Sequence, residues 1–258
     1  MAEWDWGAWD HWGLAGIALI GTFAASALLI GRLRDPEHGA RLRAYAGVAP
    51  PFINIVGVLF ALTLAFLGND TWNAHDRAVD AVTREADGLR SLVALAHGLD
   101  DPRRSEIETA VSAYAASASI TEWPLLARRH ASAETAAALD RLLAVVATRD
   151  LSDRLGPAVH ARLLEEVVTV REARARRVSL SQTHVNPLKW LGMAFLGFVT
   201  MLSVAIVHVE NDRAAFAAIL LFAAAAAPTA AIVLMQGNPF QQPTSVSAAP
   251  LLDVARGR

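Results

Sequence analysis

Residues 50–95 constrain this chain more than any other stretch. The first part, PPFINIVGVLFALTLAFLGND, is uncharged until Asp70 and long enough to cross a hydrocarbon core of roughly 30 Å as a helix. The second part, TWNAHDRAVDAVTREADGLRSLVAL, is polar with an apolar seam, and no Gly or Pro falls between Gly68 and Gly88. One helix is therefore expected to cross a bilayer and keep going. Along its apolar half, Asn54, Val58, Leu62, Phe66 and Asn69 recur every three or four residues and share one face. An amide without a partner in an apolar run costs on the order of several kcal/mol. Asn54 is thus expected to face protein or water, and a bond to a neighbouring helix would satisfy it equally well.

Three further runs are long and apolar enough to span: Trp12 to Gly31, Trp190 to Val209, and Ala214 to Met235. The last contains Pro228, which frees a carbonyl and is expected to kink the helix. Trp4, Trp6, Trp9 and Trp12 precede the first span, where indoles favour the headgroup level, and suggest a short interfacial segment. The start also lacks the basic region and cleavage site of a secretory signal, so it is kept in the mature protein.

The insert between the second and third spans reads as helical throughout. Positions 72, 75, 79, 82, 86, 89, 93 and 96 give a heptad-like seam. Ser105 with Glu108 suggests a capping box for a second helix with Ile107, Val111 and Tyr114 on its buried stripe, and Glu122-Trp123-Pro124 is expected to break it. A third helix covers Ala133 to Ala147, and Gly156-Pro157 opens a fourth that runs into the Arg-rich REARARR. The tail from Asn238 onward reads as extended. With no hairpin signals or repeats, the fold class is all-α, four transmembrane helices with a helical aqueous insert between spans 2 and 3. The domains are 1–70, 71–188 and 189–258.

A chain of 258 residues that is 54% hydrophobic yet has a long polar insert is an integral membrane protein with one sizeable aqueous region. A net charge of −2 speaks against nucleic acid, since phosphate binding needs a concentrated basic face. The absence of cysteine excludes disulfides, thiol catalysis and thiolate metal sites. Asp35, Glu37 and His38, or His75 with Asp76, could bind a metal only if a distant residue joined them. Glu165 and Glu166 point about 100° apart on a helix and cannot act as a paired acid and base. Without a phosphate loop or nucleophile elbow, no enzyme and no cofactor is expected. Arg32, Arg34, Arg41 and Arg43 after span 1 favour an external N-terminus by the positive-inside bias, whereas Arg171, Arg174, Arg176, Arg177 and Lys189 approach span 3 from the other side.

Pro51-Phe52, Gly57, Ala65-Phe66, Asn69 and Trp72 resemble the second transmembrane helix of bacterial bestrophins, and Asn238-Pro239-Phe240 resembles the Asn-Pro-Phe after their last span. Pro36-Glu37-His38, Tyr114 with Glu122-Trp123-Pro124, and Arg177, Pro187 and Trp190 resemble the bestrophin-like membrane family more closely. The resemblance implies a homopentameric ion channel lined by the second helix. Val58, Leu62 and Phe66 would form an apolar neck that gates by dewetting, with Asn54 one turn further along. It also implies a bacterial inner membrane with the termini and helical insert in the cytoplasm, against the charge bias of the first helix. Animal bestrophins follow Asn-Pro-Phe with acidic residues that bind calcium; here Gln241-Gln242-Pro243 follows, so calcium gating is not expected. Two rivals stay open. One is a non-conducting scaffold or accessory subunit, to which the many alanines of span 4 and the lack of a charged ring in span 2 point, its helical insert docking a protein partner. The other is a metal-dependent membrane enzyme using Asp35, Glu37 and His38. In every reading membrane lipids surround the spans.

Overall fold

A computed structural model describes residues 6–45, 47, 49–182, 187–242 and 244–258, and among these all regular structure is helical. The helices are α1 (Trp6–Arg34), α2 (Pro36–Arg43), α3 (Ala49–Ala96), α4 (Asp101–Ala116), a π-helical turn (Ser117–Glu122), α5 (Trp123–Ala127), α6 (Ala133–Val146), α7 (Arg149–Leu155), α8 (Pro157–Gln182), α9 (Pro187–Val207), α10 (Asp212–Met235) and α11 (Ala249–Ala255). Four of them, α1, α3, α9 and α10, are long and apolar enough to cross a membrane. The expectation for residues 50–95 holds: α3 is one uninterrupted helix of 48 residues, about 72 Å at 1.5 Å per residue. Two compact units divide the chain, Met1–Trp72 with His184–Gly237 and Asn73–Thr183 with Asn238–Arg258.

In the first unit, α10 packs along α1 and α9. Ala215, Ala223, Ala227, Ala230 and Ala231 are buried along it, and such small side chains let helices approach closely where no hydrophobic effect drives them together. At one end Leu29 and Leu33 of α1 meet Met201, Ala205 and Val209 and, from α10, Ala215 and Ile219. α3 joins through Phe60, Leu64 and Leu67, which pack with Trp190, Met193, Ala230 and Val233. Lys189 donates to Asp70 at 2.8 Å, tying α9 to α3. α10 continues through Pro228.

The second unit has a continuous apolar core. Val82, Leu89 and Leu92 of α3 meet Ile107, Val111 and Tyr114 of α4, Leu139 and Leu142 of α6, and Leu163, Val167 and Val170 of α8. A Cβ on Gly88 would lie 2.8 Å from Val170 Cγ2, so glycine lets α3 and α8 touch there.

Several expectations need correction. Trp4 lies outside the described residues, and from Trp6 onward there is no separate interfacial segment, because the chain is already in α1. Ser105 lies inside α4, whose N-cap is Asp100 with Pro102 in the first turn, so no capping box forms. Glu122-Trp123-Pro124 does not break the helix. The π-turn absorbs the distortion and Pro124 falls in the first turn of α5, where a missing N–H costs little. The seam on α3 holds from Val82 onward, where Val82, Ala86, Leu89 and Ala96 are buried and Val93 packs on the core, but not before it: Trp72 and Val79 are exposed, and Ala78, Glu85 and Leu92 widen the buried face. The tail is not extended but ends in α11, which packs on α4. Residues 238–258 thus belong with the insert helices rather than with spans 3 and 4. The short helices α2 and α7 had no counterpart in the sequence reading.

Candidate functional site

Two groups of residues stand out, one in each unit. On α3, Phe60, Leu64 and Leu67 face the other spans. At 100° per residue, Asn54, Val58, Leu62, Phe66 and Asn69 lie about half a turn away, on the opposite side. Among the described residues no helix packs over them: Val58, Leu62 and Phe66 are 57%, 50% and 68% exposed, and Asn54 and Asn69 are exposed as well. Asn54 therefore does not bond a neighbouring helix of its own chain; among the described residues its amide has no partner. The stripe has a polar residue at each end and apolar ones between.

The second group is a charged core. Glu85 is on α3, Tyr114 on α4, Glu122 ends the π-turn, and Arg174 and Arg177 are one turn apart on α8. Arg177, Glu85, Glu122 and Tyr114 are fully buried. Arg177 donates through Nε to Glu85 Oε2 at 2.7 Å and through Nη2 to Glu85 Oε1 at 3.0 Å and Glu122 Oε2 at 2.9 Å. Arg174 Nη2 donates to Glu122 Oε1 at 2.6 Å and to the Ser132 carbonyl at 3.1 Å. The Tyr114 hydroxyl donates to Glu85 Oε1 at 2.6 Å, and the Ser132 N–H donates to Glu122 Oε1 at 2.9 Å. Two guanidinium and two carboxylate groups balance, which is the condition for holding charge inside a protein.

These contacts shift three of the groups. Burial alone would raise the pKa of Glu122, but the hydrogen bonds from Arg174 and the charge of Arg177 outweigh it and hold the carboxyl below its ordinary value. Burial opposes the charge on Arg177, yet Glu85 more than compensates and the pKa is raised. Burial and then the Glu85 charge push the Tyr114 hydroxyl well above the usual phenol range.

One nitrogen of Arg177, Nη1, has no hydrogen-bond partner. The guanidinium lies 5.5 Å from the centroid of the half-buried Trp123 ring, which supplies a cation–π contact. Trp123 in turn meets Phe240 edge to face at 5.4 Å. Asn238 donates to the carbonyls of Leu126 at 3.1 Å and Ala127 at 3.4 Å and accepts from the Phe240 N–H at 3.0 Å. Pro239 accepts from the Val246 N–H at 2.8 Å. The structure therefore brings Tyr114, Glu122, Trp123, Asn238, Pro239 and Phe240 together, with Pro124 exposed beside them.

Glu85 and Arg174 were missed as members of this cluster. The available signal was a carboxylate at the buried spacing of Val82, Leu89 and Leu92, matched by two arginines three residues apart on the last insert helix. The acidic group of the first loop is a helix start: Asp35 caps α2, accepting from the Glu37 N–H at 3.0 Å, and His38 Nδ1 lies 3.0 Å from its other oxygen. Among the described residues no three His, Asp or Glu side chains converge as a metal site would require.

The comparisons with known proteins agree with this architecture. No curated protein matches the sequence. A crystal structure of a substituted form of a bacterial bestrophin homologue from Klebsiella pneumoniae superposes with a TM-score of 0.69 at 12% identity, covering 96% of each chain. Another form of that homologue gives 0.65 at 11% identity, covering 94% of this chain and 96% of its own. Identities this low show the fold alone. A family model, the bestrophin-like domain, matches residues 19–251, and the chain belongs to the bestrophin-like family.

Proposed function

We propose that this integral membrane protein is a homopentameric ion channel whose pore is lined by α3. The observation that carries this reading is the uncovered stripe of Asn54, Val58, Leu62, Phe66 and Asn69, turned away from every other span of its own chain. Arranged around an axis, copies of Val58, Leu62 and Phe66 would form an apolar constriction that closes by dewetting, while the two asparagine rings hold water at its ends. Bestrophins are ion channels, which supports the same reading. By the same analogy the membrane is the bacterial inner membrane and the helical unit is cytoplasmic.

The test is ion flux from liposomes together with oligomer mass, measured on the same purified Leu62→Ala protein. A pore predicts an intact oligomer with raised flux, because a smaller side chain widens the neck. A scaffold with α3 in a dry oligomer interface predicts the reverse. There the substitution opens a cavity costing about 2–5 kcal/mol, and the oligomer weakens with no gain in flux. Val58→Cys and Leu62→Cys report independently in this cysteine-free chain, since pore-lining thiols react with aqueous reagents and crosslink between subunits.

A further inference from the structure

Four arginines bracket the turn that follows the first span: Arg32 and Arg34 in the last turn of α1, Arg41 and Arg43 in the last turn of α2. All four are exposed, and none forms an ion pair among the described residues. The two helices that carry them are closely packed. A Cβ on Gly39 would sit 2.8 Å from the Leu33 carbonyl oxygen, so α2 folds back closely onto the end of α1, and the Arg43 guanidinium lies along α2 beside Gly39, its Nη2 3.9 Å from that Cβ. Leu42 packs against the apolar cluster of Leu33, Val209 and Ala215, which keeps the other side of α2 against the spans. The carboxylates of this end are Asp35, Glu37, Glu210 and Asp212, with Arg213 a fifth arginine. Asp35 is occupied as the α2 cap with His38, and Asp212 lies in the first turn of α10, where the helix dipole favours it.

We infer that this corner binds the phosphate of an anionic membrane lipid. It stands at the end of a membrane span running from Gly13 to Arg34, the level at which headgroups lie, and unpaired guanidinium groups are the side chains best suited to phosphate oxygens. The spans also have room for the tail. An apolar cavity of about 310 Å³ is lined by Ala18, Gly21, Ala25, Phe60, Gly197 and Phe222. Ala18, Ala25 and Arg32 are seven residues apart and so fall on one side of α1, with Arg32 about 10 Å beyond Ala25, within the reach of one acyl chain. A free phosphate would use the arginines and leave the cavity unexplained.

The test is thermal unfolding of the protein in detergent with added phosphatidylglycerol or phosphatidylcholine of the same chain length, and with inorganic phosphate. Phosphatidylglycerol should raise the melting temperature of the unmodified protein, and the other two should not. In Arg32→Gln/Arg43→Gln most of that shift should vanish, while Arg32→Lys/Arg43→Lys should retain part of it. Equal shifts with the two lipids would overturn the inference, because charge would then be irrelevant. An equal shift with inorganic phosphate would overturn the lipid as its source, and an undiminished shift in the glutamine variant would overturn the arginines. If the double variant does not fold, retention of phosphatidylglycerol over phosphatidylcholine by Arg43→Gln, read by native mass spectrometry, decides between the same outcomes.

Discussion

Replacing Arg177 by Met should be among the most destabilising single changes in the helical unit. The side chain is fully buried and makes three hydrogen bonds to two carboxylates. Met is close in length, so the space is largely refilled and the loss is electrostatic. Glu122 keeps Arg174 and the Ser132 N–H, but Glu85 retains only the Tyr114 hydroxyl. Stranding one charge of a buried pair costs about 3–5 kcal/mol, a large share of the roughly 5–15 kcal/mol that stabilises a domain, and should lower the melting temperature by on the order of 10 °C. The double variant Glu85→Gln/Arg177→Met removes both charges and should recover about 2 kcal/mol or more of that loss, since partners in one network couple by about 0.5–3 kcal/mol. Melting followed by circular dichroism, on the single variants and the double, closes the cycle. A loss below about 1 kcal/mol for Arg177→Met, or strictly additive effects, would refute the view that these charges hold one another in place.

Four other outcomes follow from the packing and hydrogen bonding of the helical unit. Trp123→Ala should cost about 2 kcal/mol, less than a core tryptophan because the ring is half-buried, and Arg177 should lose its aromatic neighbour; calorimetry checks the first. Gly88→Ala should cost about 1–3 kcal/mol in chemical denaturation, because the new methyl meets Val170 at 2.8 Å. Asn238→Ala should cost about 1–3 kcal/mol, since the carbonyls of Leu126 and Ala127 lose a donor in a buried turn. On acidification, the pKa of Glu122 is lowered from the ordinary glutamate value of 4.5, so its contribution is fully present above that value and is lost as the pH falls below it. Melting temperatures should therefore drop from pH 5 toward pH 3 by less in Glu122→Gln than in the unmodified protein.

The spans and the unbroken α3 were legible because apolar length and uninterrupted periodicity are local properties of the chain. So was the face of Val58, Leu62 and Phe66, which follows from helical spacing alone. Where the α3 seam begins was not legible. Trp72 and Val79 look as apolar as Val82, and only packing against α4 and α8 decides which of them is covered. The partners of Glu85 were hidden for a related reason: Arg177 is 92 residues away in sequence, and nothing local marks the pair. Pro124 misled because proline normally ends a helix, whereas here the preceding π-turn and its place at the start of α5 make it harmless. The helix at Ala249–Ala255 was missed because its seven residues are too few to show a period.

The π-turn at Ser117–Glu122 makes the chain sensitive there to length rather than to chemistry. Such a turn holds about one residue more than the α-helical turn it interrupts. Ile120 sits within it at 65% exposed, so its side chain is dispensable, and Ile120→Ala should leave the fold unchanged. Deleting Ile120 is a different perturbation. It would let α4 run into α5 as a regular helix and turn everything after the deletion by about 100° relative to α4. Glu122 would swing away from Arg174 and Arg177, and Trp123 would leave Phe240. Related chains should accordingly vary freely in the residue at this position while keeping the number of residues between Tyr114 and Glu122 constant.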